Sequence, residues 1–140
     1  MARVLAFGVF DPLHEGHRDF FRQARNVGDK LLVVVARDSA LRADKQREPY
    51  QNEDERLAAV QREPSVTEAV LGSEGVSHYE LLVQLSFEVV VLGFDQKPSD
   101  AVVRQELDAR GKTAVKIVRL KPWHPDRFKS SHLRPTPGEA

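Results

Sequence analysis

The stretch VLAFGVFDPLHEGHRDFFRQARNVGDKLLVVVA, residues 4–36, carries two kinds of apolar pattern with a polar loop between them. Its ends, VLAFG (4–8) and LLVVVA (31–36), are continuous apolar runs of strand length, the second rich in β-branched valine. Between them Phe20, Phe21, Ala24 and Val27 recur on roughly one helical face, and Gly28 supplies a helix stop. Strand, helix and strand within about thirty residues read as a β-α-β unit, whose two strands must run parallel.

The same alternation continues down the chain. EAVLG (68–72), VVVLG (89–93) and AVKIVRL (114–120) repeat the strand pattern. Helical spacing fills the gaps: NEDERLAAVQRE opens on Asn52 with Glu55 three residues on, and SHYELLVQL opens on Ser77 with Glu80, both with the spacing of a capping box. A last helix begins at about Pro98 or Ser99 and ends at Arg110 and Gly111. Near-continuous apolar strands alternating with helices predict an α/β fold, a Rossmann-like parallel sheet of about five strands with helices on both faces, in a single domain spanning residues 1–140. Ligands of such sheets bind beyond the carboxyl ends of the strands, so the loops leaving Gly8, Ala36, Gly72, Gly93 and Leu120 should share a crevice. Two irregular segments, 37–51 and 121–140, leave strands at that end and would bring Lys45, Lys129 and Ser130 within potential reach of His14, His17 and Asp95.

Composition removes several chemistries. The 140 residues contain no cysteine, so a disulfide framework, a thiolate zinc site and a cysteine nucleophile are all unavailable. Twenty-one Lys plus Arg balance twenty-one Asp plus Glu, which argues against nucleic acid or an anionic membrane as the main partner. The apolar start is broken early by Gly8 and Asp11, and no apolar run approaches transmembrane length. The expectation is a soluble, cytoplasmic protein.

His14 and His17, three residues apart around Gly16, stand where strand gives way to helix. A zinc site would need a third protein ligand, and neither a cysteine nor an HExxH pattern supplies one. Two imidazoles satisfied in a turn are an awkward packing solution beside a glycine. Phosphate binding fits best: a helix N-terminus offers N–H groups and a positive dipole, Gly16 permits close approach, and imidazole N–H groups can donate to phosphate oxygens.

GVFDPLHEGH (8–17) resembles the GxFDxxHxGH signature of the cytidylyltransferase-like nucleotidyltransferases, which join a nucleoside triphosphate to a phosphate-bearing acceptor and release pyrophosphate. The resemblance covers most of the chain, because VVVARDS (33–39), the Lys45 loop, EDERLAAV (53–60), EAVLG, VVVLGFDQ (89–96) and FKSS (128–131) follow in the expected order. ARDS, LGFDQ and FKSS are most similar to the archaeal-type FAD synthases, with glycerol-3-phosphate cytidylyltransferase close behind. The resemblance implies FMN adenylylation, or CTP with glycerol 3-phosphate, with Mg²⁺ bridging the triphosphate and no protein-bound metal. It also implies a homodimer.

Residue by residue, it gives His14 and His17 the transferred phosphate and Lys129 a catalytic phosphate contact. Val9 and Phe10 would line the nucleotide site through their backbone, with Asp11, Glu15, Gly16, Asp95 and Phe128 also on the nucleotide side. Ser130 and Ser131 would grip the β- and γ-phosphates, and Lys45 would contact phosphates or acceptor. Taken alone, Lys45 also reads as part of a solvated charged run, Asp11 and Asp95 as turn formers, and the serines as helix caps. Trp123 and His124 read as a surface patch or a cover over the pocket. Two departures stand out: Glu15 replaces a common proline and sets an acid beside the triphosphate, and Pro135 and Pro137 leave room for about one helical turn after FKSS. The competing class is a nucleotide-binding module without turnover.

Overall fold

The computed structural model describes residues 2–42, 48–72, 79–94, 96 and 99–121. Within them lie five strands, β1 (Arg3–Gly8), β2 (Lys30–Val35), β3 (Glu68–Leu71), β4 (Val89–Leu92) and β5 (Lys116–Arg119). The helices are α1 (Glu15–Val27), a short turn α2 (Asp38–Ala40), α3 (Glu53–Gln61), α4 (Tyr79–Gln84) and α5 (Asp100–Ala109). All strand pairs are parallel and the sheet order is β3-β2-β1-β4-β5. The order reverses between β1 and β4, which is the topological switch point of a doubly wound sheet.

Side-chain alternation divides the core in two. Val4 and Ala6 of β1, with Val33 and Val35 of β2, pack against Phe21 and Ala24 of α1 and Val60 of α3. Leu5, Phe7 and Val34 face the opposite way, against Leu82 of α4 and Val103 and Leu107 of α5. Continuous apolar strands thus serve both faces, as a parallel sheet requires. The pattern is weakest at the edges, where β5 leaves Lys116 exposed and is shorter than the seven-residue apolar run.

Local signals set most helix ends. Asn52 caps α3 and Glu55 returns the bond to the Asn52 N–H, while the Ser99 side chain caps α5. Gly111 follows α5 with φ +81°, a left-handed conformation that favours glycine. Gly28 also stops a helix, by a different means. Its backbone is extended, and a Cβ there would lie 2.7 Å from the Ala2 carbonyl oxygen and from Val4 Cγ2, so close packing against β1 requires it. Segment 37–51 read as irregular, yet it contains α2 and buries Leu41. Among the described residues no helix is long and apolar enough to cross a membrane.

Candidate active site

The loop after β1 is built on a glycine–aromatic pair. Phe10 has φ +57°, unusual for a bulky side chain, and its ring folds back over Gly8, where a Cβ would lie 2.9 Å from Phe10 Cζ. Burial holds this conformation: the Phe10 ring is 5.2 Å from Phe21 and meets the His17 ring edge-on at 5.1 Å. The loop is thereby turned into the first residues of α1.

There the two histidines form a capping box from imidazole nitrogens. His14 is the N-cap, and its Nδ1 accepts the Gly16 N–H at 3.0 Å. The His14 side chain also accepts the His17 N–H, and His17 Nδ1 accepts the His14 N–H at 3.2 Å. The rings stack with centroids 3.8 Å apart and planes 20° apart. A ring nitrogen that accepts an N–H carries no proton, so in this geometry the ring proton of each imidazole sits on Nε2. The expectation of open helix N–H groups around Gly16 is corrected to this extent: the Gly16 N–H is taken by His14 Nδ1.

Glu15 does not stand as an uncompensated acid. Its carboxylate pairs with Arg18 at 2.6 Å, and Arg18 Nε also reaches Glu63 at 3.1 Å. The hydrogen bond from Glu15, then that from Glu63, raises the Arg18 pKa above its usual value and keeps the guanidinium charged.

Asp11 is fully buried, and its two oxygens accept the Tyr50 and Gln51 N–H groups, each at 2.9 Å. Asp11 thereby ties the loop after β1 to the approach to α3. Asp11→Asn should lower thermal stability by roughly 1–3 kcal/mol, because an amide can satisfy one of the two N–H groups and opposes the other. An unchanged melting curve would disprove this anchoring role.

Arg56 was not singled out from the sequence. It sits on α3 with no exposed surface, donating to the carbonyls of Val9 at 3.1 Å, Ala36 at 2.7 Å and Gln51 at 3.1 Å, and to Asp38 Oδ1 at 2.6 Å. It clamps the carboxyl ends of β1 and β2 together. The signal available was its place four residues before Val60, on the face α3 buries.

At the switch point β1 and β4 pair through Val4–Val89 and Leu5–Val90, and beyond these the Gln96 side chain spans them. Its Nε2 donates to the Phe7 carbonyl at 2.7 Å and its Oε1 accepts the Gly93 N–H at 2.9 Å. Arg119 Nη1 donates to the Gly93 and Gln96 carbonyls at 2.6 and 2.7 Å, and Arg119 is itself held by Asp100. On the other side of β1, beyond β2, an open cleft of about 360 Å³ is lined by Arg37, Asp38, Arg42, Asn52 and Glu53, among others. Arg37 there pairs with Glu53 at 3.3 Å and donates to the Gly72 carbonyl at 2.6 Å.

His14, His17, Gly16, Phe10 and Asp11 are thus brought together around the end of β1. Lys45, Asp95, Phe128, Lys129, Ser130 and Ser131 lie outside the described residues, as do Trp123 and His124.

This architecture and sequence recur elsewhere. The cytidylyltransferase-like family model matches residues 5–134. A protein of Aciduliprofundum boonei named FAD synthase is 44% identical over 123 residues, covering 88% of this chain and 80% of the relative. The FAD synthase of Thermoplasma volcanium is 37% identical over 134 residues, covering 96% and 92%. Among solved structures, one described as a lipopolysaccharide core biosynthesis protein from Thermoplasma volcanium superposes with a TM-score of 0.82 at 38% identity, over 88% of this chain and 98% of that one. A protein of unknown function from Archaeoglobus fulgidus has a TM-score of 0.69 at 24% identity, a likeness of fold.

Proposed function

The chain belongs to the cytidylyltransferase-like family, and from that premise we propose that it is an adenylyltransferase that makes FAD from ATP and FMN. The observation that carries this reading is the stacked imidazole pair on the first turn of α1, with both Nδ1 atoms committed to backbone N–H groups. A phosphate oxygen of FMN attacks the α-phosphorus of ATP in line; the bond to the bridging oxygen of the β-phosphate breaks, and pyrophosphate leaves. No covalent enzyme intermediate is needed, so the protein contributes positioning and electrostatic stabilisation. His14 and His17 donate to the charge developing on the transferred phosphoryl group. Lys129, Ser130 and Ser131 supply the cation and hydroxyls for the β- and γ-phosphates, and Lys45 serves the acceptor.

ATP enters with Mg²⁺. Among the described residues no group of three or more His, Cys, Asp and Glu is placed to hold a metal ion. Mg²⁺ takes phosphate and water ligands readily with few from protein, and carried on the nucleotide it would offset phosphate charge. The protein works in the cytoplasm as a homodimer.

The test is pyrophosphate release and flavin chromatography, crossing ATP and CTP with FMN and glycerol 3-phosphate. Conversion of FMN to FAD with ATP, abolished by EDTA and restored by Mg²⁺, is the expected result. Turnover restricted to CTP with glycerol 3-phosphate would replace the acceptor assignment, and ATP binding without turnover on any acceptor would leave a binding module.

A further inference from the structure

Among the described residues the exposed large apolar side chains are Tyr50, Phe94 and Val102, and Phe94, 54% exposed, sits in the turn that leaves β4 at the switch point. We propose that Phe94 is the ring platform for the adenine of ATP and so a specificity-determining residue; this rests on the function proposed above and deepens it. Exposed turns favour Gly, Asn, Asp and Ser, so a phenylalanine there gains nothing from the turn itself. It also gains little from the core, since half its surface stays in solvent.

The turn is held at both ends. Gln96 N–H donates to the Gly93 carbonyl at 3.1 Å, Gly93 N–H donates to Gln96 Oε1, and Arg119 donates to both the Gly93 and Gln96 carbonyls. Through Gln96 Nε2 the turn is joined to the Phe7 carbonyl, one residue before the end of β1 and the loop that leads to the histidines. An apolar ring on a pinned turn can accept a planar partner without a further ordering cost. Open α/β sheets place nucleotides at the strand-order reversal, which is between β1 and β4 in this sheet, and this assigns Phe94 to the nucleotide and not to the acceptor.

The test compares Phe94→Ala, Phe94→Leu and Phe94→Tyr by steady-state kinetics and by calorimetric titration with Mg-ATP in the absence of FMN. Loss of the aromatic face should raise KM and Kd for ATP about tenfold in the alanine variant and less in leucine, with tyrosine near wild type and KM for FMN within about twofold. Unchanged ATP affinity, or a shift confined to FMN, overturns the assignment. So does a change in sedimentation mass with ATP affinity intact, which would make Phe94 a partner contact. Should the alanine variant not fold, the leucine–tyrosine comparison decides. If wild-type protein does not adenylylate FMN, the function proposed above fails on that arm while the ATP titration still decides Phe94.

Discussion

Replacing His14 with asparagine is expected to keep the melting temperature within a few degrees of wild type while lowering adenylyl transfer about 10²–10³-fold. The two effects separate because the ring does two things. His14 Nδ1 caps α1 by accepting the Gly16 N–H, and an asparagine carbonyl oxygen is among the best replacements for such an acceptor. The Nε2–H donor has no counterpart on asparagine at the same reach. His14→Ala should lose both, adding a stability cost of about 1 kcal/mol to the same loss of turnover. His17→Ala should cost more stability, because that ring is buried against Phe10 and its Nδ1 holds the His14 N–H. Paired thermal melts and pyrophosphate-release assays check this, and near-normal turnover in His14→Asn would remove the histidine from catalysis.

Arg56→Met should destabilise the domain by roughly 3–5 kcal/mol, because it leaves a carboxylate and three backbone carbonyls without their buried donor. At this chain length that is a fall of roughly 10–20 °C in melting temperature. Asp38 is the charged partner, while Val9, Ala36 and Gln51 are the carbonyls, so the loss falls on the carboxyl ends of β1 and β2 and on the approach to α3. Arg56→Lys should recover only part of the loss, since an ammonium cannot match the fork that reaches four acceptors. Circular dichroism melts at matched pH and salt measure it; a fall of less than about 3 °C in Arg56→Met would show that the buried guanidinium is replaceable by packing alone.

The sheet, the helices that cover it and most of their ends follow from information local in the chain. A run such as LLVVV has strand period and strand length, Asn52 and Glu55 meet across one turn, and Gly111 takes a conformation that glycine adopts freely. The histidine pair was legible too, because two side chains three residues apart at a strand-to-helix turn share a helix N-terminus. Which ring nitrogen faces the backbone was not, since that depends on the path Phe10 imposes on the loop with its positive φ over Gly8. The remaining decisions lie between residues far apart in sequence. Asp11 accepts N–H groups 39 and 40 residues away, Arg56 reaches Val9 across 47, and Gln96 spans 89 to join β4 to β1. Periodicity and capping encode contacts within a few residues, whereas a buried polar group is satisfied by whatever the closed sheet brings beside it, and only the tertiary structure determines that neighbour.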